Sequence, residues 1–192
     1  MILASGNAHK LAEVCHILGR DDIQLSPQGL GEPVEDDVTF AGNALIKARY
    51  VAERTGEAVL ADDSGICVDV LGGAPGVFSA RWCGRHGADQ ENLDLLLAQL
   101  ADVRPEHRGA KFVCAAVFVQ PGGREIIATG TMTGTLLTEP RGAGGFGYDP
   151  IFVPDGYDRS AAELSATEKN LISHRGQAFR ALALELERLG LS

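Results

Sequence analysis

Two adjacent carboxylates, Asp62 and Asp63, give the clearest chemical signal in the sequence. They follow an apolar run, 58–61, that predicts a buried strand, and ligands of open α/β sheets tend to bind where such strands end. Adjacent carboxylates leaving a strand point in different directions, so one can hold a metal ion while the other orients water. Mg²⁺ prefers oxygen ligands and is typically held by one or two carboxylates together with substrate phosphates. Asp-Asp-Ser-Gly is also typical of turns, so the pair alone is compatible with a solvated turn as well.

Basic side chains at predicted helix starts form a second group of candidates. The run from Ser5 to Lys10 predicts a strand, a tight turn and a helix, whose N-terminal amides together with Lys10 could cradle a phosphate. Lys169 follows a capping box, and His174 and Arg175 open the last predicted helix. A helix N-terminus with basic side chains suits an anion. Each of these residues taken alone is more often ordinary structure than part of a site.

A glycine-rich stretch, 141–149, contains the third group. Its four glycines, at 142, 144, 145 and 147, are too dense for a regular element and indicate a close approach of backbone to another group. Phe146 and Tyr148 offer aromatic faces beside the carboxylate of Asp149. This combination could stack on a purine and hydrogen-bond to it.

The elements that position these residues can be predicted from hydrophobic period and cap residues. We expect a strand at 1–4, a helix ended by Gly19, a short strand at 23–25 and a loop at 26–37. Thr39 predicts the N-cap of a helix that reaches about residue 54 and stops at Gly56. After the strand 58–61, a hairpin-like continuation through 66–70 is expected to lead to a glycine-rich turn at 71–76.

The second half of the chain predicts a helix, a hairpin and two further helices. Asp89 or Asn92 is expected to cap a helix with a leucine stripe (Leu93, Leu96, Leu97, Leu100) that faces the core. Strands at 111–120 and 125–135 are joined by the turn 121–123. Ser165 and Glu168 predict a capping box, and the last helix should turn Phe179, Leu182, Leu186 and Leu189 inward.

Composition limits the classes of function. The 192 residues are 45% apolar, enough for one folded unit, 1–192. The formal charge of −9 repels a polyanion and argues against nucleic-acid binding, although a small phosphate ligand would need only a few local cations. No leader-like start and no apolar run of about 20 residues is seen, so we expect a cytoplasmic protein with no membrane span. The four cysteines stand singly, which favours burial over a redox or metal role.

A strand that ends in two acids also occurs in P-loop ATPases. That class would require G-x-x-x-x-G-K-[ST] elsewhere in the chain, and the sequence has no such loop.

Taken together, six ordered motifs spread over nearly the whole chain resemble the inosine triphosphate pyrophosphatase family, which removes deaminated purine nucleotides from the precursor pool. They are Ser5 to Leu11, Thr39-Phe40 with Asn43-Ala44 and Lys47-Ala48, Ala61 to Gly65, Leu71 to Gly76, Gly145 to Pro150, and Ser173 to Arg175.

The resemblance implies a fold and an activity. The fold is two-lobed α/β, with a long mixed β-sheet flanked by helices and a nucleotide cleft between the lobes. Members of the family are usually homodimers. The activity is Mg²⁺-dependent hydrolysis of ITP, dITP and XTP to the monophosphate and pyrophosphate.

The resemblance also implies roles for individual residues. Asp63 corresponds to the catalytic acid–base residue, and Asp63, Asp62 and Glu35 are candidate metal ligands. Phosphate and sugar contacts fall on Ser5, Gly6, Asn7, Ala8, His9, Lys10, Ser64 and Lys169, and the base pocket on Phe146, Gly147, Tyr148, Asp149, His174 and Arg175. The chain departs from the family at Gly42, where relatives often carry an acid. If that acid helps to hold Mg²⁺ in relatives, another carboxylate must do so here.

A mechanism and a selectivity follow as hypotheses. Asp63 takes a proton from water that attacks the α-phosphorus, while Lys10 and Lys169 offset charge on the leaving pyrophosphate. Hypoxanthine and xanthine present O6 as an acceptor for donors from His174, Arg175 or backbone amides. The N6 amino group of adenine would leave those donors unpaired, at a cost of ~1–3 kcal/mol.

Two rival functions remain open at the level of sequence. A Maf-like pyrophosphatase would act on pyrimidine or modified nucleotides, but the segments 146–149 and 173–175 favour a purine. A nucleotide-binding regulator without catalysis could dispense with Asp63, whereas both Asp62 and Asp63 are present and favour the enzyme.

Overall fold

The computed structural model describes residues 1–191, except for the side chain of His9, and contains a mixed six-stranded sheet with flanking helices. The strands are β1 (Ile2–Leu3), β2 (Gln24–Leu25), β3 (Val59–Val68), β4 (Gly109–Gln120), β5 (Arg124–Leu136) and β6 (Phe152–Pro154). The α-helices are α1 (Ala8–Leu18), α2 (Phe40–Thr55), α3 (Asp89–Gln99), α4 (Ala166–Ile172) and α5 (His174–Arg188).

The sheet has the order β2-β1-β3-β4-β5-β6. Strand β1 pairs in parallel with both β2 and β3, whereas β5 and β6 are antiparallel. The three-residue link between β4 and β5 makes these two long strands a hairpin. The predicted α/β class with a mixed sheet is therefore confirmed.

Cap residues set the ends of the helices as expected. The Thr39 hydroxyl accepts a hydrogen bond from the Gly42 amide at the start of α2, and Gly56, at φ 70°, ends that helix by donating to the Ala52 carbonyl. Ser165 forms a capping box with Glu168 at the start of α4. These helix ends were predicted correctly because capping depends on a few neighbouring residues.

The chain divides into two compact units. Unit 1 comprises Met1–Asp63, Cys114–Gly130 and the segment from His174 to the C-terminus. One apolar cluster of unit 1 includes Leu3, Leu60 and Phe118 with Phe179 and Leu182 of α5, and a second cluster includes Ala44 and Ala48 of α2. The small residues of α2 allow this helix to pack closely within its cluster.

Unit 2 comprises Ser64–Val113 and Thr131–Ser173, and one apolar cluster fills it. Leu93, Leu96 and Leu100 of α3 contribute the predicted stripe, with Leu97 only partly buried. Arg108 is buried in this unit, and its guanidinium donates to the carbonyls of Leu100, Val103 and Leu137. One side chain thereby joins the segment that follows α3 to the segment that follows β5.

The expected end of β3 at residue 61 is wrong. The strand runs without a break to Val68, so Asp62, Asp63, Ser64 and Gly65 lie in its middle. The hairpin-like return expected after it is present in short form: Cys67 pairs antiparallel with Pro75, and the Val68 amide donates to the Ala74 carbonyl across the glycine-rich turn. The residues at 62–65 are typical of turns, but here they stay extended because contacts with other parts of the chain hold them in the strand. Cations reach Asp62, and at Gly65 a Cβ would lie 2.4 Å from the Gly76 carbonyl oxygen, so only glycine permits this approach.

Three smaller expectations also need correction. Neither Asp89 nor Asn92 caps α3; Ala88 holds the cap position, and the Asn92 side chain instead accepts from the Cys83 amide at 2.7 Å. Leu189 does not point inward, because it follows the end of α5 and is 38% exposed. All four cysteines are free, but only Cys114 is fully buried.

Among residues 1–191, every helix is too short or too polar to cross a lipid bilayer.

Candidate active site

Asp62 lies at the centre of a buried network of charges in unit 1. One of its carboxylate oxygens is 3.0 Å from the Lys10 ammonium and the other is 3.2 Å from Nε of Arg175, and the side chain is only 1% exposed. Nη1 of Arg175 also binds Glu13 at 2.8 Å. Burial alone would raise the pKa of Asp62, but Lys10, Arg175 and Lys47 outweigh it and hold the pKa below its ordinary value.

Local structure places the members of this network. Ser5 Oγ accepts from the Asn7 amide, and Asn7 Oδ1 accepts from the Lys10 amide, so the polar turn caps α1. Lys10 and Glu13 are three residues apart on α1 and therefore share one face of that helix. Arg175, in the first turn of α5, links Asp62 to Glu13 and so completes a chain of two cations and two anions.

Asp63 has different surroundings, although it is the next residue on β3. The Lys47 ammonium lies 3.4 Å from Oδ1, and Nδ2 of Asn43 lies 3.4 Å from Oδ2. Lys47 also binds Glu35 at 3.2 Å, so one ammonium joins two carboxylates. Burial raises the pKa of Asp63; Lys47 lowers it, and Glu35 and Asp62 raise it further, so the result is a pKa above the ordinary value.

The helix α2 brings Asn43 and Lys47 to Asp63 because they are four residues apart and so lie on one face. Burial alone would lower the pKa of Lys47, but Asp63, Asp62 and Glu35 outweigh it and raise the pKa, which keeps the ammonium charged. The sequence prediction assigned no role to Asn43, Lys47 or Glu13. The i, i+4 spacing of Asn43 and Lys47 was the available signal, but their contacts with Asp63 span 20 and 16 residues, respectively.

A cavity of about 180 Å³ in unit 1 is lined by both signs of charge. Its wall includes Ser5, Gly6, Lys10, Glu32, Glu35 and Lys47. The predicted phosphate turn and the predicted metal ligand Glu35 are therefore brought to one cavity. Cations and carboxylates together suit a phosphate group that arrives with a metal ion.

The donors around Asp63 fit a magnesium ion in their chemistry. Glu35 and Asp63 supply hard oxygen atoms on either side of a single ammonium, and Mg²⁺ is commonly held by one or two carboxylates with phosphate oxygens completing the set. Among the described residues there is no group of three or more His, Cys, Asp or Glu side chains placed to hold a metal by themselves. Asp62 stays a prediction as a ligand, since both its oxygens already contact cations.

In unit 2, Asp149 organises a second cluster of predicted residues. Its carboxylate accepts from the Phe146 amide at 2.9 Å and from the Lys169 ammonium, which lies 5.0 Å from the centre of the Phe146 ring. Phe146 is 58% exposed, while Tyr148 is buried and donates its hydroxyl to the Ser79 carbonyl. Phe146 is therefore the aromatic face that is open for stacking, and Tyr148 supports the loop.

The predicted site residues fall into both units. Unit 1 contains Ser5, Gly6, Asn7, Ala8, Lys10, Glu35, Asp62, Asp63, His174 and Arg175, and unit 2 contains Ser64, Phe146, Gly147, Tyr148, Asp149 and Lys169. The His9 side chain lies outside the described part of the chain. His174 and Arg175 are both buried, and the predicted contact of Arg175 with a base stays a prediction because two of its nitrogen atoms already bind carboxylates.

Comparison with known proteins identifies the family of the chain. A family model described as the Ham1 family matches residues 1–185. The dITP/XTP pyrophosphatase of Streptomyces coelicolor is 56% identical over 188 residues, which cover 95% of this chain and 94% of that protein. The dITP/XTP pyrophosphatase of Corynebacterium efficiens is 52% identical over 202 residues, covering 98% of both chains.

Solved structures show the same fold. A HAM1 protein from Coxiella burnetii superposes with a TM-score of 0.88 at 41% identity, covering 97% of this chain and 98% of that one. A nucleoside-triphosphatase/dITP/XTP pyrophosphatase from Mycobacterium abscessus gives a TM-score of 0.77 at 49% identity, covering 96% and 97%. The resemblance inferred from the six motifs is confirmed, and the chain belongs to the Ham1 family.

Proposed function

We propose that this protein is a nucleoside triphosphate pyrophosphatase that hydrolyses deaminated purine nucleotides such as ITP, dITP and XTP to the monophosphate and pyrophosphate. The observation that supports this most is the pair of neighbouring carboxylates on β3, one neutralised by two cations and the other with a raised pKa. Full-length relatives named dITP/XTP pyrophosphatase point to the same chemistry and do not favour the Maf-like alternative.

Asp63 is the general base of the proposed reaction. A raised pKa makes its carboxylate a better proton acceptor, while Lys47 and Asn43 hold the two oxygens in place. Asp63 takes a proton from water as the water oxygen bonds to the α-phosphorus. The bond from that phosphorus to the bridging oxygen breaks, and pyrophosphate leaves with the electron pair.

Cations on the cavity wall offset the charge that develops on the phosphates. Lys10 is 22% exposed and follows the Ser5–Gly6 turn, so its ammonium and the turn can face a phosphate together. The predicted help from Lys169 stays a prediction. We propose that Glu35 and Asp63 hold Mg²⁺, which when bound would neutralise phosphate oxygens.

The proposed selectivity depends on oxygen at position 6 of the purine. Donors that match O6 would lose their partner with adenine, and a buried unpaired donor costs ~1–3 kcal/mol, roughly tenfold or more in kcat/KM. Phe146, as the exposed aromatic ring, would stack on the base.

The test is pyrophosphate release from ITP, dITP, XTP, GTP and ATP, each with and without Mg²⁺. We expect turnover of the three deaminated substrates only with the metal, and a kcat/KM for ATP at least tenfold lower. Equal rates for ATP and ITP would contradict the proposed selectivity. An absence of pyrophosphate from every substrate would contradict the activity itself.

We also propose that the protein acts in the cytoplasm, and that it forms a homodimer, as the family resemblance implies. Light scattering after size exclusion would give a mass of two chains if this is correct and of one chain if it is not.

A further inference from the structure

The start of α2 carries half of a capping box. Thr39 Oγ1 accepts from the amide of Gly42, three residues on, at 3.0 Å. In a complete capping box, a Glu or Gln at that third position would accept from the Thr39 amide in return. Gly42 has no side chain, so the Thr39 amide is left to water or to an acceptor from outside the helix.

Asp37 supplies the missing acceptor from outside the helix. Its Oδ1 accepts from the Thr39 amide at 2.8 Å and from the Thr39 hydroxyl at 2.7 Å. A Cβ built on Gly42 would lie 2.0 Å from Cγ of Asp37 and within 2.3 Å of both its carboxylate oxygens. The Asp37 carboxylate therefore occupies the volume that a side chain at residue 42 would take.

The backbone of Asp37 connects this cap to the catalytic carboxylate. Its N–H donates to Oδ1 of Asn43 at 3.0 Å, and Asn43 is only 1% exposed. Because Oδ1 of the Asn43 amide is engaged by a donor, Nδ2 faces Oδ2 of Asp63, 3.4 Å away. Lys47, one turn further along α2, binds the other oxygen of Asp63.

We propose that Asp37 is a positioning residue for Asp63, acting through the first turn of α2 and the amide of Asn43. The Asp37 carboxylate, which precedes the helix, accepts from the Thr39 amide as a Glu at position 42 would in a capping box. The glycine at position 42 leaves room for that carboxylate. The expected effect on turnover rests on the proposed pyrophosphatase function, whereas the expected effect on the first turn of α2 does not.

The sharpest test is Gly42→Ala. Alanine has the higher helix propensity, so a change acting through propensity alone would protect the first turn. The proposal predicts that the first turn is protected less, because the new methyl group displaces the Asp37 carboxylate from Thr39. We expect the Thr39 and residue-42 amides to exchange hydrogen about fivefold faster, the factor for loss of one cap, as measured by NMR. Unchanged or slower exchange would overturn the proposal.

A pair of swapped variants separates positioning from general damage. Asp37→Gly should lower kcat for XTP by about tenfold while KM stays within about twofold, since misplacement of the base affects the chemical step. Asp37→Gly combined with Gly42→Glu moves the carboxylate into the helix and should restore both kcat and amide exchange to within about twofold of wild type. A double variant no better than Asp37→Gly would overturn the proposal.

Asp36→Gly is the matched control. Asp36 is exposed in the same loop and makes no hydrogen bond or ion pair with any described residue, so the variant removes the same charge without the cap. Its kcat and amide exchange should match wild type. An equal loss in both aspartate variants would show a loop or charge effect and overturn the proposal. If wild type releases no pyrophosphate, the proposed function is wrong. The amide exchange rates then test by themselves whether Asp37 stabilises the first turn of α2.

Discussion

Asp62 and Asp63 stand side by side on β3, yet the surroundings of the two carboxylates differ in the number of cations that reach them. Lys10 and Arg175 bind Asp62 directly, one on each oxygen. Asp63 shares its single ammonium, that of Lys47, with Glu35. Burial raises the pKa of both carboxyls, but only at Asp62 do the cations outweigh it.

One strand can therefore supply both a structural charge and a reactive one. A compensated carboxylate gains little by taking a proton, so Asp62 anchors the helices that carry Lys10 and Arg175. An undercompensated carboxylate is the better proton acceptor, so Asp63 suits the reaction.

Replacing Asp63 with Asn should have the largest effect, and it should fall on catalysis. We expect kcat for XTP to fall about 10³-fold, within the usual range for loss of a general base. Stability should not fall, because a carboxyl with a raised pKa is destabilised in its charged form. The measurements are steady-state pyrophosphate release and the urea midpoint, with Asp36→Asn as the control. Near-normal turnover in this variant would contradict the assignment of Asp63 as the general base.

Asp62→Asn should instead act mainly on stability. The change leaves Lys10 and Arg175 without their shared anion in a buried place, which typically costs about 3 kcal/mol or more. Urea denaturation measures this loss, and kcat of the folded fraction should fall less than in Asp63→Asn. Asp22→Asn, which breaks an exposed pair with Arg20, is the control and should leave the midpoint unchanged. A wild-type midpoint in Asp62→Asn would show that the network is not a structural element.

The pH dependence of stability should also separate the two carboxyls. The pKa of Asp62 is lowered, so its contribution is complete above the unfolded value of 3.8 and is lost as pH falls further towards the folded pKa. Below pH 3.8, wild type should therefore lose unfolding free energy more steeply than Asp62→Asn. The pKa of Asp63 is raised, so its protonation adds stability as pH falls from that raised value towards 3.8. Urea unfolding at a series of pH values measures both slopes, and identical slopes in wild type and both variants would contradict the contrast.

Glu13→Gln should give the smallest effect. It keeps an acceptor for Arg175 but removes one charge from the edge of the network, where Glu13 is 16% exposed. We expect a loss of about 1 kcal/mol in unfolding free energy, measured by the same urea titration. A loss as large as that of Asp62→Asn would mean that Arg175, rather than Asp62, is the centre of the network.

Much of the fold follows from local signals in the sequence. The bounds of α2 depend on Thr39 and Gly56, and the start of α4 depends on Ser165 and Glu168, all of which act on near neighbours. The end of β3 was mispredicted for the opposite reason. Asp62 stays inside the strand because Lys10 and Arg175, which lie 52 and 113 residues away in sequence, neutralise it.

The candidate site also contains some residues that could be predicted from the sequence and others that could not. Asp62, Asp63, Lys10 and Arg175 could be singled out by residue type and placement, and the family resemblance added Glu35. Glu13, Asn43 and Lys47 were missed as functional residues because their partners are fixed by packing. A lysine and an asparagine on an amphipathic helix are ordinary until the structure shows what they contact.

An NMR titration of the carboxyl carbons of Asp62 and Asp63 in the wild-type protein would measure the difference between the two carboxyls itself. Asp63 should titrate above the ordinary aspartate value of 3.8, and Asp62 should remain charged well below that value. Two carboxyls that both titrate close to 3.8, or an Asp62 that takes its proton at a higher pH than Asp63, would contradict the division of roles between them.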